Sequence, residues 1–86
     1  MIFSNESKIL VENNKLLRDN KITLEAKRLY IILASLTVPG AYTTSWIAER
    51  NFITEDKVVF LLGELCGAGY LKMQNDGTIT FQEEEE

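Results

Sequence analysis

The sequence predicts a small, mostly helical α+β fold, and three observations lead to this. Two segments carry apolar residues at helical spacing, a shorter segment between them has residues that start and end helices, and apolar residues alternate with polar ones around Asn75-Asp76-Gly77. A chain of 86 residues is long enough for one core and too short for two. We predict one domain over residues 1–82, followed by an acidic tail or the start of a linker over residues 83–86.

The charge of the chain is unevenly distributed. The formal net charge is −4, and Glu83–Glu86 supply four of the thirteen acidic residues, so nine acidic residues remain against nine Lys and Arg. Because proteins that bind DNA tightly usually present a basic face, a neutral body argues against strong nonspecific DNA binding. We expect the tail to be solvated; the alternative is that it mimics phosphate and occupies a basic groove.

Composition disfavours enzymes. The chain has no histidine and a single cysteine, Cys66, so His-activated nucleophiles, His metal ligands and an intramolecular disulfide are excluded. No acid pair or phosphate-cradling loop is visible, and we predict a non-enzymatic protein with no cofactor, metal or small-molecule substrate. There is no signal-peptide pattern and no apolar run near the ~20 residues of a membrane span, which predicts a cytosolic protein with no membrane partner.

The N-terminal part predicts short elements. The apolar run Lys8–Val11 is rich in β-branched residues, which indicates a short strand. Residues 15–18 can form a single helical turn before Asp19-Asn20 breaks it. This segment precedes the helical part of the chain.

The first long helix is predicted over residues 24 to about 37. Thr23 is a suitable N-cap, and Glu25 falls in the first turn, where the helix dipole favours an anion. Pro39-Gly40 ends the segment, because proline cannot continue the hydrogen-bond ladder. We expect Lys27 and Arg28 to be exposed. The apolar residues at helical spacing are Leu24, Leu29, Ile32, Leu33 and Leu36.

A second, short helix follows, with Thr43 or Thr44 as its N-cap. Asn51 is expected to end it, because asparagine tolerates the left-handed conformation. Trp46 lies either in the core or at its rim.

The third helix is predicted to start at Thr54 and to end at Gly67 and Gly69, which supply helix-ending conformations. Its predicted buried stripe consists of Val58, Leu61, Leu62 and Leu65. Beyond it, apolar residues alternate in a β-hairpin, for which Asp76-Gly77 predicts a primed turn. The alternating residues are Leu71, Met73, Ile79 and Phe81.

A short N-terminal strand, three helices and a C-terminal β-hairpin wing, in this order, are typical of the winged helix-turn-helix. Several motifs resemble the N-terminal domains of phage and plasmid replication initiators and replisome organisers. Residues 47–58 resemble the turn region of bacterial winged helices, and residues 66–71 resemble the "EEAGYL" ending before the wing. Residues 14–19 and 23–27 resemble "NxLLRDxxLSxxAK". The resemblance covers about residues 8–81 and implies DNA binding in replication or regulation.

The chain departs from this family at two places. Members usually have leucine then glycine in the turn, where this chain has Asn51 then Phe52. We expect Asn51 to take the left-handed conformation and Phe52 to fill the space of the leucine. Members also carry arginine or other polar residues early on the exposed side of the third helix, where this chain has Val59 and Phe60. Arginine there would bind guanine edges and phosphates, whereas Val and Phe can only contact a thymine methyl.

These departures indicate a protein interface made by Val59, Phe60, Gly63 and Gly67. The first two form an exposed apolar patch or, alternatively, help to close the core on a rotated helix. The two glycines are four residues apart and allow another helix to approach closely; alternatively, Gly67 begins the helix end and Gly63 faces the second helix. The expected partner is a second copy, giving a homodimer, or another protein.

A weak DNA-binding surface is also predicted. Arg50, Lys57 and Lys72 are expected near the turn, the start of the third helix and the wing, where they could contact phosphates. Thr44 and Ser45 could do so at the N-terminus of the second helix. The alternative is that these residues form an ordinary solvated surface.

Two functions remain in competition. The first is a binding module of a mobile-element replication or regulatory protein, which associates weakly with DNA and with itself or a protein through the third helix. The second is a small phage-type inhibitor that binds a host protein such as a defence nuclease, in the manner of anti-CRISPR proteins. The resemblance favours the first, and the neutral body and the missing recognition arginines favour the second.

Overall fold

The computed structural model describes residues 2–5, 13–36 and 40–82, which form four helices and one mixed four-stranded sheet in a small α+β arrangement. The predicted strand at Lys8–Val11 and the tail at 83–86 lie outside the described residues. Within the described parts, none of the helices is long and apolar enough to cross a membrane. The elements are β1 (Ile2–Asn5), α1 (Asn13–Arg18), α2 (Leu24–Ala34), β2 (Gly40–Thr43), α3 (Thr44–Arg50), α4 (Glu55–Gly67), β3 (Leu71–Met73) and β4 (Thr78–Phe81).

Helix α2 confirms the first predicted long helix, although it ends at Ala34. The Thr23 hydroxyl accepts a hydrogen bond from the Ala26 amide at 3.2 Å and caps the helix. Leu24 is 79% exposed and stays outside the core. Lys27 was expected to be exposed, which is wrong: it is buried, and its ammonium donates to the Leu17 carbonyl at 3.0 Å. A cation at this carbonyl, near the C-terminus of α1, is favourable for the dipole of that helix.

Helix α3 confirms the second predicted helix, and Thr43 is its N-cap, with the hydroxyl accepting from the Trp46 amide at 3.0 Å. The prediction that Asn51 adopts the left-handed conformation at the end of this helix is wrong. Asn51 has φ −111° and instead donates its side-chain amide to the Ile47 carbonyl at 2.8 Å. The left-handed residue is Phe52, with φ 58°. Phe52 was also expected to fill a buried space, but it is 96% exposed.

Helix α4 confirms the third predicted helix. The Thr54 hydroxyl accepts from the Lys57 amide at 3.1 Å, and Glu55 and Asp56 occupy the first turn. The helix ends at Gly67 and Ala68 is its C-cap; of the two glycines predicted to supply helix-ending conformations, Gly69 is left-handed, with φ 89°, and Gly67 is the last helical residue. The four residues of the predicted buried stripe are all buried: Val58, Leu61, Leu62 and Leu65.

The sheet has the strand order β2-β1-β4-β3. Strand β1 lies in the middle, antiparallel to β2 and parallel to β4, so that Phe3 is paired with both Tyr42 and Ile79. Neither β1 nor β2 was predicted. Strands β3 and β4 form the predicted antiparallel hairpin, with Leu71 opposite Phe81.

The hairpin turn is not the primed turn that we predicted. A primed turn needs a positive φ at its first central residue, whereas only Gly77 has one here, with φ 87°. The Gly77 amide donates to the Gln74 carbonyl at 3.0 Å, which is typical of a three-residue loop that ends in a left-handed glycine. Met73, predicted to alternate inward, is 51% exposed.

The core joins the helices to the sheet through aromatic rings. Phe81 of β4 contacts Phe3 of β1 and Tyr30 of α2 edge-on, with ring centroids 5.1 and 5.4 Å apart. Tyr30 also contacts Tyr70, whose hydroxyl donates to the Asp19 carboxylate at 2.8 Å. Helices α2 and α4 therefore pack on the sheet with one face each, and their opposite faces are open to solvent.

Candidate protein-interaction surface

The solvent-exposed side of α4 carries an aromatic ring, with an aspartate before it and two glycines after it. Asp56, Phe60, Gly63 and Gly67 recur at intervals of four, three and four residues, and all of them are exposed. At 100° per residue they lie opposite the buried stripe. We call these four residues the outer face of α4.

Three of the four residues predicted to form a protein interface lie on this outer face. Phe60 is 59% exposed, so the alternative in which it closes the core is wrong. Val59 is half-buried and lies between the outer face and the buried stripe of α4. A Cβ placed on Gly63 or Gly67 meets no atom within 4 Å, so the alternative in which Gly63 packs against α3 is also wrong. The glycines leave a flat strip of helix backbone beside the ring.

The flank of α4 that faces α2 is closed by polar contacts. The Lys57 ammonium lies 3.2 Å from the Glu25 carboxylate and 5.8 Å from the centre of the Phe60 ring. Further along α4, the Glu64 carboxylate accepts a hydrogen bond from the Thr23 backbone amide at 2.6 Å and another from the Thr23 hydroxyl at 3.2 Å. These contacts hold the start of α2 beside the middle of α4. A phosphate could reach Lys57 only in competition with Glu25.

The turn between α3 and α4 presents a second exposed ring. The Ile53 amide donates to the Ala48 carbonyl at 3.1 Å, across Asn51 and the left-handed Phe52. This bond is the 6→1 hydrogen bond of a Schellman motif, in which the left-handed position is usually glycine. A side chain there costs about 1–2 kcal/mol. Because the Phe52 ring makes no buried contact that offsets this cost, it is an outlier that points to function.

A small apolar cleft lies directly beside this turn, between α2 and the turn. Its polar rim consists of Glu25, Arg28 and Asn51. Asn51 and Ile53, which flank Phe52 in the chain, both line the cleft, so the exposed ring stands next to it. Its apolar walls are Leu29, Ile32, Ile53 and Leu61.

The residues predicted to bind DNA are only partly accessible to a phosphate group. Thr44 is 1% exposed, and its hydroxyl donates to the Glu55 carboxylate at 2.5 Å, so its predicted phosphate contact is wrong. Ser45, Arg50 and Lys72 are exposed, on α3 and β3. The Arg50 guanidinium lies 4.9 Å above the Trp46 ring.

Trp46 itself is half-buried at the rim, and its ring lies 4.8 Å from that of Tyr42. Of the cations predicted to bind DNA, the two exposed ones, Arg50 and Lys72, lie on separate elements, and neither is on the outer face of α4. The sequence did not predict that Phe52 and Leu24 are exposed, nor that a cleft lies between α2 and the α3–α4 turn. The one available signal was the phenylalanine at a turn position where glycine is usual.

Groups that could perform chemistry are sparse. In the described ranges, no three His, Cys, Asp or Glu side chains come together as a metal site would need. Cys66 is half-buried, and this burial raises the pKa of its thiol. The Asp19 pKa is lowered by its hydrogen bonds from the Lys21 backbone amide and from the Tyr70 hydroxyl.

No protein-family model, curated protein or solved structure matches this chain. The surface is therefore assigned from its own residues, their exposure and their contacts.

Proposed function

We propose that the chain is a non-enzymatic winged-helix module that binds a protein through α4 instead of reading DNA with it. The observation that carries this is the outer face of α4, where an exposed phenylalanine stands beside two glycines and one aspartate. In a winged helix, this helix would enter the major groove. Here it offers apolar area and a negative charge where DNA requires cations.

The electrostatics of the flanks support the same proposal. Asp56 lies on the outer face, Glu64 lies on the flank, and the nearest cation, Lys57, is paired with Glu25 at 3.2 Å. Major-groove readers use arginine, lysine, asparagine or glutamine against base edges. The outer face contains none of these. An apolar ring with a polar surround is instead the usual make-up of a protein-binding hot spot.

The biological setting that we propose is a mobile element, on the basis of the motif resemblance to replication initiators. The module would there serve replication or regulation, with weak DNA contact through Ser45, Arg50 and Lys72. The alternative function is inhibition of a host protein such as a nuclease. The absence of cations from the outer face of α4 favours this alternative, because an inhibitor has no need to bind DNA at all.

Photocrosslinking tests the α4 proposal even while the partner is unidentified. Phe60 is replaced by p-benzoylphenylalanine, a crosslinking analogue of related shape, in the cells that express the protein. We expect one discrete protein adduct. The matched control carries the analogue at Met73, which is similarly exposed on the hairpin, and should give no such adduct. A nucleic-acid adduct at Phe60, or none, contradicts the proposal.

A salt titration measures the remaining DNA affinity. With Arg50 and Lys72 accessible and Lys57 held by Glu25, about two to three phosphates can be contacted, and the logarithmic salt slope should be no steeper than about −3. Titrating a mixed-sequence duplex at several salt concentrations gives this slope. Tight, sequence-selective binding at physiological salt is the result that would show α4 to be a DNA reader.

A further inference from the structure

We infer that the face of the sheet turned away from the helices holds a binding site for a small neutral ligand rich in hydroxyl groups, of the size of one sugar ring. A groove of about 380 Å³ lies on this face. The site is separate from the outer face of α4, and the inference therefore holds whether or not α4 binds a protein. Three strands and the hairpin loop line the groove, with Ile2, Ser4, Ala41, Gln74, Asp76, Thr78 and Thr80.

The alternation of side chains along β1 and β4 places hydroxyl groups on this face. Phe3 and Phe81 point into the core, where their rings lie 5.1 Å apart. Because successive side chains of a strand point to opposite faces, Ser4 and Thr80 beside them point away from the helices. The parallel register, in which Phe3 is paired with Ile79, continues by one residue to make Ser4 and Thr80 neighbours. Two hydroxyl-bearing residues are therefore adjacent in the middle of the sheet.

Ser4 is the residue that points most directly to a ligand. It is 7% exposed, and its hydroxyl makes no hydrogen bond within the described ranges. The hydroxyl oxygen is not sealed off, because every completely buried side-chain oxygen in those ranges has a hydrogen-bond partner. Since Ser4 lines the groove, its hydroxyl meets solvent there. Buried hydroxyls are nearly always paired, so the missing partner is to be supplied from the groove.

The other polar groups of the lining also keep unused hydrogen-bonding capacity. The Gln74 amide nitrogen donates to the Thr80 hydroxyl at 2.9 Å, which leaves the Thr80 proton and the Gln74 carbonyl oxygen for a ligand. Asp76 accepts from the Thr78 backbone amide at 2.9 Å through Oδ1, and its Oδ2 remains as a further acceptor. The hydrogen bond from the Thr78 amide lowers the pKa of Asp76, which keeps this carboxylate ionised.

The charge and the chemistry of the lining select the class of ligand. Asp76 carries a negative charge, whereas Lys72, which is opposite Thr80 in the hairpin, is not part of the lining. A phosphate or carboxylate would therefore meet a like charge with no cation of the lining to offset it. The carboxylate and the amide oxygen only accept hydrogen bonds, so a ligand that brings several hydroxyl donors fits best.

The size and the apolar end of the groove suit a sugar ring. Its volume of about 380 Å³ is toward the lower end of the roughly 300–1,000 Å³ that is usual for small-molecule sites. Ile2 and Ala41 supply aliphatic surface for the C–H groups of such a ring, and Ile2 is 42% exposed. A sugar thus matches both the hydroxyl-lined and the aliphatic parts of the groove.

The test titrates the isotopically labelled chain with four neutral probes and follows amide chemical shifts. The probes are glucose, galactose, mannose and N-acetylglucosamine, each taken well above millimolar concentration. We expect at least one of them to shift the amides of Ser4, Thr78 and Thr80 saturably, with those of α4 unchanged. Phosphate and acetate, added at matched ionic strength, should not produce these shifts.

Two variants assign the binding to the hydroxyl groups. Thr78→Val keeps the shape of the side chain and should weaken binding about tenfold, since one hydrogen bond to the ligand is lost. Ser4→Ala should weaken it similarly and leave the midpoint of urea denaturation unchanged, because no hydrogen bond within the described chain is broken. Ser45→Ala, which removes an exposed hydroxyl on α3, is the matched control and should bind like wild type.

Four outcomes overturn the inference. One is the absence of saturable shifts with all four sugars, and another is a set of shifts confined to the helices. The third is a response to ethylamine without one to the sugars, which would assign the groove to cations. The fourth is a Ser4→Ala variant that binds like wild type or is clearly destabilised, since the Ser4 hydroxyl would then serve no ligand or would serve the fold.

Discussion

Helices α3 and α4 end in the same hydrogen-bonded motif but with opposite residue choices. At the end of α4 the Tyr70 amide donates to the Leu65 carbonyl at 3.0 Å, across Gly69 with φ 89°. At the end of α3 the Ile53 amide donates to the Ala48 carbonyl at 3.1 Å, across Phe52. Both positions demand a left-handed backbone, and only the first has the residue that adopts it at low cost. Gly69 therefore suits the fold, whereas Phe52 holds the same conformation at a cost that no buried contact of its ring offsets.

Replacing the residue that follows each left-handed position, Tyr70 after Gly69 and Ile53 after Phe52, should give the largest difference in stability. Tyr70 is fully packed against Tyr30, whereas Ile53 is half-buried at the cleft. We expect Tyr70→Ala to lower the free energy of unfolding by about 3–5 kcal/mol and Ile53→Ala to lower it by about 1–2 kcal/mol. Urea denaturation followed by circular dichroism measures both. Equal losses would remove the distinction between a buried helix end and an exposed one.

Gly69→Ala should be the next largest effect. A Cβ at this position meets nothing within 4 Å, so the cost comes from the backbone conformation alone. We expect a loss of about 1–2 kcal/mol in the free energy of unfolding. Gly63→Ala is the matched control, since Gly63 is exposed within α4 and its Cβ is equally unobstructed. That variant should gain stability, because alanine favours helix over glycine.

Phe52→Gly should have a smaller effect of opposite sign. Glycine relieves the left-handed strain and removes a ring that contributes no buried contact, at the expense of a more flexible unfolded chain. The expected gain is about 0.5–1 kcal/mol in the free energy of unfolding of the monomer. A destabilised variant would show that the ring supports the fold.

A pH-dependent effect is expected at the end of α4. Burial, together with the hydrogen bond to Asp19, raises the pKa of Tyr70 from 10.0 to about 12. Since the unfolded chain loses this proton first, the contribution to stability is present below pH 10 and is lost as the pH rises toward about 12. In Tyr70→Phe this loss should be absent. The stability difference between wild type and Tyr70→Phe, measured across this range, should therefore shrink with rising pH.

Local signals in the sequence predicted the helical part of the fold. Threonine caps and apolar spacing identified α2, α3 and α4, and the stripe around Leu62 is buried as expected. The strands β1 and β2 escaped prediction, because each is four residues long and β1 depends on pairing with distant partners. Burial of Lys27 was also missed, because the carbonyl that receives its charge belongs to α1, ten residues earlier.

The candidate surface was predicted in part. The exposed side of α4 followed from helical geometry once Val58 and Leu62 were assigned to the core. The left-handed residue of the turn was predicted one position too early, at Asn51, because asparagine tolerates the left-handed region. In the structure, the Asn51 side chain caps Ile47, and the left-handed conformation passes to Phe52. The cleft beside it depends on the packing of α2 against the turn, which no local pattern encodes.

The most direct test of the contrast between the two helix ends is a paired denaturation of Phe52→Gly and Gly69→Ala. Both variants are unfolded in urea beside the wild-type chain and followed by circular dichroism. We expect Phe52→Gly to be more stable than wild type and Gly69→Ala to be less stable, because only Phe52 pays for the left-handed conformation with a side chain. If both variants are destabilised, the Phe52 ring supports the fold and the contrast is contradicted.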